Sequence, residues 1–86
     1  MKRDRLFFRV IDVYGTKANM KRLMTEGGFT VRYVQRELGL ECPQSVYQWL
    51  NPNRPALPSL DNLIMLAAVF GCRIEDILVT YEVERD

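Results

Sequence analysis

The sequence predicts a mainly α domain of five short helices, with a short β-strand at each end and the two strands paired. Three observations carry that prediction. Apolar residues recur at helical spacing in five stretches, most of them opened by Thr, Ser or Pro and closed by glycine. Period-2 alternation occurs only near the two ends. The chain has 86 residues with 48% hydrophobic content, enough for one core and too little for two, so residues 1–86 read as one domain.

In chain order, residues 6–13, LFFRVIDV, are β-branched and aromatic and predict a strand that Tyr14-Gly15 ends. Thr16 is the expected cap of a helix over 16–26, with Met20, Leu23 and Met24 inward, Lys17, Lys21 and Arg22 solvated, and Gly27-Gly28 as the stop. Thr30 opens a second helix over 30–38 with Val34 and Leu38 inward, ended by Gly39. Pro43 suits the first position of a third helix over 43–51, and Asn51-Pro52-Asn53-Arg54-Pro55 follows as an irregular loop. Ser59 caps a fourth over 59–70, with Leu60, Leu63, Ile64, Ala67 and Phe70 on one face and Gly71 as stop. Ile74, Ile77 and Leu78 mark a fifth over 74–78, and residues 79–84 alternate as a strand expected to pair with 6–13.

Composition excludes several classes. The start MKRDRLFFRVIDV is basic then apolar, but Arg9 and Asp12 interrupt it and no small-residue cleavage site follows, so it does not read as a signal peptide. The longest apolar window, 63–70, is far short of the roughly 20 residues of a membrane span. Cys42 and Cys72 form no CxxC pair and the chain has no histidine, so neither metal nor cofactor is expected. The thiols read as reduced, semi-buried hydrophobes in a cytoplasmic protein. Net charge is only +1, yet residues 1–54 hold ten Lys and Arg against five Asp and Glu (+5), and residues 55–86 hold two against six (−4). Such asymmetry points to a polyanionic partner for the basic part, with a solvated basic face as the plainer reading.

The second and third helices, joined by a tight turn, match a helix-turn-helix arrangement. Val46, Trp49 and Leu50, at i, i+3 and i+4, must face inward, which leaves Gln44, Tyr47, Gln48 and Asn51 outward. A glutamine amide offers one donor and one acceptor, matching the N6 and N7 edge of adenine in the major groove. The third helix carries no Lys or Arg, but affinity comes mostly from phosphates and its charge can lie elsewhere, on Lys17, Lys21, Arg22, Arg32, Arg36 and Arg54. Any solvated helix shows a polar outward face, so this pattern is weak evidence by itself.

The ordered segments FTVRYVQRELGL, QSVYQWLN, PSLDNLIMLAAVFG and IEDIL, spanning Phe29 to Leu78, resemble the lambda-repressor-like (Cro, or XRE) helix-turn-helix family. The resemblance is greatest to a bacterial subgroup with a VIDV-type strand before the first helix and PQ-x-[IV]-Y-x-W opening the third. It implies a five-helix lambda-repressor-like DNA-binding domain acting as a transcriptional regulator, with double-stranded DNA as partner and a homodimer on it. Gln44, Ser45 and Gln48, with Tyr47 and Asn51 beside them, are then expected at bases, and Thr30, Arg32, Asn53 and Arg54 at phosphates. In two respects the chain departs from the family: the stretch Glu41 to Ser45, between Leu40 and Val46, is one residue longer than the common pattern, and Leu50 is apolar where members commonly have a polar or charged residue after the tryptophan.

Two other classes compete with this expectation. A protein-interaction module on the same fold, antitoxin-like, is suggested by the low net charge and by Met65, Ala68 and Val69, which extend apolar surface beyond one face of the fourth helix. An enzyme is the weakest reading, with no histidine and no glycine-rich phosphate loop, and with Asp61, Glu75 and Asp76 placed where helix starts favour acids. The terminal strands can pair within one chain or offer their edges to a second, and the sequence leaves both open.

Overall fold

The computed structural model describes residues 6–85; residues 1–5, part of the basic start, and residue 86 lie outside the described residues. The element order is β1 (Leu6–Ile11), α1 (Val13–Gly27), α2 (Val31–Glu37), α3 (Gln44–Leu50), α4 (Leu60–Phe70), α5 (Ile74–Ile77) and β2 (Thr80–Arg85). The protein is mainly α, with five helices among the described residues. The terminal strands pair within the chain: β1 and β2 run antiparallel, from Leu6 opposite Arg85 to Ile11 opposite Thr80.

The first helix begins earlier than its sequence suggests. Asp12, not Thr16, is its cap: Asp12 Oδ1 accepts the N–H of Gly15 at 2.8 Å, and the strand ends at Ile11. Gly15 makes room for that carboxylate, since a Cβ there would lie 2.5 Å from Asp12 Oδ2. The Tyr14-Gly15 pair expected to end the strand is therefore the first turn of α1. Thr16 is instead fully buried and clamps the base of β2: its Oγ1 accepts the N–H of Val79 at 2.9 Å and donates to the Val79 carbonyl at 3.3 Å. Asp12 N–H donates to the same carbonyl at 2.8 Å, so both strands enter the helical body at one hydrogen-bonded corner.

Met20 and Met24 of α1, Val34 and Leu38 at α2, Val46 and Trp49 of α3, Leu63, Leu66 and Ala67 of α4 and Ile77 of α5 form one core. Phe29 caps it, 5.4 Å from the Phe70 ring and 5.9 Å from Tyr33. Here α4 departs from expectation. Leu63, Leu66, Ala67 and the half-buried Phe70 face the core, whereas Leu60 and Ile64 are 79% and 57% exposed. Apolar residues surround so much of this helix that spacing alone admits two faces, and packing against α1, α2 and α5 selects the one containing Leu66. Leu50 is apolar because it is half-buried against the core.

The β-ribbon projects from this helical body. The extents are 50 × 26 × 23 Å, and the radius of gyration of 15.1 Å exceeds the ~12 Å of a compact chain of this length. Every β1 residue is exposed.

Candidate nucleic-acid interface

α2 and α3 are joined by a turn whose first residues are held by hydrogen bonds to α2. Thr30 Oγ1 accepts the N–H of Tyr33 at 3.0 Å and starts α2. At the other end Gly39 N–H donates to Arg36 O (3.1 Å) and Leu40 N–H to Gln35 O (3.0 Å), which requires Gly39 at φ +70°, a conformation a Cβ would strain. The Gln35 side chain donates to Leu40 O at 3.3 Å, holding the turn from the side. Pro43 then precedes α3 and supplies its first carbonyl, which accepts Tyr47 N–H at 3.1 Å.

With Val46 and Trp49 buried, the opposite side of α3 faces solvent. Gln44, Tyr47, Gln48 and Asn51 line one open depression of about 250 Å³ together with Arg54. Ser45 is half-buried at the edge of this group and does not line the depression. Arg54 reaches it because the loop folds back on α3: Asn51 Oδ1 accepts Asn53 N–H at 2.9 Å, and Asn51 O accepts Arg54 N–H at 3.2 Å. Asn53 is exposed at the tip of that turn. A neighbouring depression of about 360 Å³ is lined by Arg32, Gln35, Arg36, Gly39 and Leu40. Thr30 and Arg32 are both exposed where α2 begins.

Two of the expected phosphate-facing cations are placed elsewhere. Lys17 is 1% exposed, and its ammonium donates to Gln48 O at 2.7 Å and to Ala56 O. It is a buried strut between α1, the last turn of α3 and the loop that carries Arg54, and burial lowers its pKa below the ordinary 10.5. Nothing in the sequence marks this, because a lysine in an amphipathic helix reads as solvated. Arg22 lies ~140° around α1 from Lys17. Its guanidinium donates to Glu26 Oε1 (2.8 Å) and to Asn19 Oδ1 (2.8 Å). Asn19 in turn donates to Asp76 O and Ile77 O, so Arg22 is held beside α5 and apart from the α3 face. Lys21, one turn after Lys17, is exposed.

Cys42, expected to be semi-buried, is exposed in the α2–α3 connection; Cys72 is half-buried, and burial with the nearby Asp76 carboxylate raises its thiol pKa. No helix among the described residues is long and apolar enough to cross a membrane.

A short helix, a glycine turn and a second helix with its polar side outward are the geometry of a helix-turn-helix reader. A family profile for the Cro/C1-type helix-turn-helix DNA-binding domain matches residues 19–82, three quarters of the chain. The chain belongs to that family. Searches of the curated proteins and of the solved structures found no match. The matched residues of this Cro/C1-type domain run from Asn19 in α1 into β2 and include all of α2, α3, α4 and α5, while β1 and the Asp12 cap lie before them. In helix-turn-helix readers generally the second helix of the motif enters the major groove; α3, the second helix of the motif here, carries no charged side chain.

Proposed function

We propose that this Cro/C1-type domain is a sequence-specific regulator of transcription, acting as a repressor and as a homodimer on two half-sites about 34 Å apart. The observation that carries the reading is the single depression that gathers Gln44, Tyr47, Gln48 and Asn51 beside Arg54. Gln44 and Gln48 are exposed one turn apart, so their amides can meet successive base edges, each bidentate contact discriminating by about 1 to 3 kcal/mol. Tyr47 offers its ring to a thymine methyl, and Ser45 and Asn51 border the same groove. Arg32, Arg36, Arg54, Lys21, Thr30 and Asn53 supply phosphate contacts around it. Occupying an operator with this face is repression by exclusion, and it needs no cofactor.

Selection from a random duplex library, followed by binding titrations on the selected site, tests the reading. Gln44→Ala relaxes preference at one base pair, whereas Arg54→Ala weakens selected and random duplexes alike. A selection that enriches no sequence, or a Gln44→Ala variant with unchanged preference, refutes it.

A second reading is favoured by one observation. Tyr33, Glu37, Met65, Ala68 and Val69 surround an open depression of about 320 Å³ between α2 and α4, a mixed polar and apolar surface that a protein partner can cover. Such binding is insensitive to salt and is lost in Met65→Glu, while DNA binding through α3 is not.

A further inference from the structure

The two ends of α3 are held by different means. Its start is carried by the connection from α2: Pro43 O accepts Tyr47 N–H at 3.1 Å, and Gln44 stands at the first helical position. Its close is held from α1. Gln48 O accepts a long 3.3 Å bond from Asn51 N–H and a short 2.7 Å bond from the Lys17 ammonium. The same ammonium donates to Ala56 O, in the loop just beyond Arg54.

Packing does not explain the charge at this position. A buried ammonium is costlier to hold than an apolar side chain of like volume, yet Lys17 is 1% exposed. What an apolar side chain cannot do is bind two carbonyls from separate segments, 31 and 39 residues away along the chain. Each segment bears a DNA-facing side chain. Gln48 owns one of the bound carbonyls, Arg54 rises from the loop that Ala56 anchors, and both side chains line the depression shared with Gln44.

We propose that Lys17 is a positioning residue for DNA reading, which fixes the Gln48 amide relative to Arg54 so that the phosphate contact of Arg54 sets the base edge that Gln48 meets. The inference rests on the base-reading role proposed above for α3. A bidentate contact needs its groups held within about 0.5 Å, and the two bonds from Lys17 supply that restraint where the helix ends and the loop begins. Gln44 lies outside its reach, because the start of α3 is held from α2. Lys17 therefore governs discrimination at one base pair and not at the pair read by Gln44.

Competition binding on the selected duplex and its single-base variants tests this. The two base pairs are identified as those at which Gln44→Ala and Gln48→Ala relax the preference, which for a bidentate contact is about 5- to 150-fold. Lys17→Met lowers discrimination at the Gln48 pair at least about threefold and leaves the Gln44 pair within about 1.5-fold. Discrimination is a ratio of two affinities of one sample, so lost folded protein cancels from it, and a merely structural role leaves both pairs unchanged. Lys17→Gln, neutral and shorter but still a donor, gives the same pattern to a smaller degree and decides the matter where the methionine variant does not fold. No loss at the Gln48 pair, or an equal loss at both pairs, overturns the proposal. A wild type with no preference at either pair overturns the base-reading role of α3 and this proposal with it, and the Gln44→Ala and Gln48→Ala controls tell that outcome from the others.

Discussion

Replacing Lys17 by methionine tests whether the buried strut fixes the end of α3 and the loop that follows it. Methionine nearly matches the length of the lysine stem, so packing is kept and the ammonium alone is removed. Gln48 O retains a long bond from Asn51 N–H at 3.3 Å, but Ala56 O loses the donor that the lysine supplied. An orphaned buried carbonyl costs about 1 to 3 kcal/mol, and a charge-assisted bond lost at Gln48 adds about 1 to 2. Relief of the buried charge offsets part of this, leaving a net destabilisation of about 2 to 4 kcal/mol. For a domain of this size that lowers the melting temperature by about 10 to 25 °C. Thermal melting followed by circular dichroism measures it, and the amide shifts of Gln48 and Arg54 report whether the α3 end and its loop move together. The pH dependence has a definite sign. Burial lowers the folded-state pKa of Lys17 below 10.5, so between that lowered value and 10.5 the unfolded chain binds more protons and this group makes stability rise with pH. Below both values it contributes no slope. The wild type therefore gains on Lys17→Met as pH approaches 10.5. A variant that melts within about 2 °C of the wild type with unmoved Gln48 and Arg54 amides refutes the strut.

Two further outcomes follow from the corrected α1 start and the corrected α4 face. Asp12→Ala removes the cap of α1 and lowers stability by about 1 kcal/mol in a denaturant titration, whereas a Thr16 cap would make Asp12 neutral. Leu66→Ala costs about 2 to 5 kcal/mol in the same titration while Leu60→Ser changes it by less than about 0.5, and the reverse order would return α4 to the face its spacing first suggests.

Much of the helical frame was legible in the sequence, because its signals are local. Thr30 and Ser59 cap the helices they were expected to cap, Gly39 makes the turn after α2, and Val34, Leu38, Val46 and Trp49 lie inside. What escaped depends on distant partners. Asp12 looks like a strand residue until Gly15 is known to lie beneath its carboxylate, and Thr16 looks like a cap until Val79 is placed against it. Lys17 and Arg22 share the composition of a solvated stripe, yet one meets two carbonyls inside and the other meets Asn19 beside α5. In α4 the sequence permits two apolar faces, and only the neighbouring helices decide between them. Of the proposed DNA-facing set, the α3 residues share one depression with Arg54 because helical periodicity already aligns them, while the charged residues scatter because periodicity says nothing about which end of a helix faces the groove.

The inward turn of Lys17 changes the electrostatics expected of DNA binding. Six cations of the basic part were available to phosphates by sequence; with Lys17 buried and Arg22 paired beside α5, those near α3 are Arg32, Arg36 and Arg54, with Lys21 at the margin of α1. Each neutralised phosphate contributes about −0.9 to the slope of log K against log salt, so three to four contacts give about −3 per copy and about −6 for a pair. Six contacts per copy would have given about −11 for the pair. Titration of a selected palindromic duplex at several salt concentrations separates the two values, and a slope near −11 would mean that Arg22 leaves Glu26 and that Lys17 leaves its carbonyls on binding. A shallow slope places more of the discrimination on the amides of Gln44 and Gln48, and the lysine behind α3 then serves DNA reading from inside, as the neutralising charge on the carbonyl end of the helix that carries those amides.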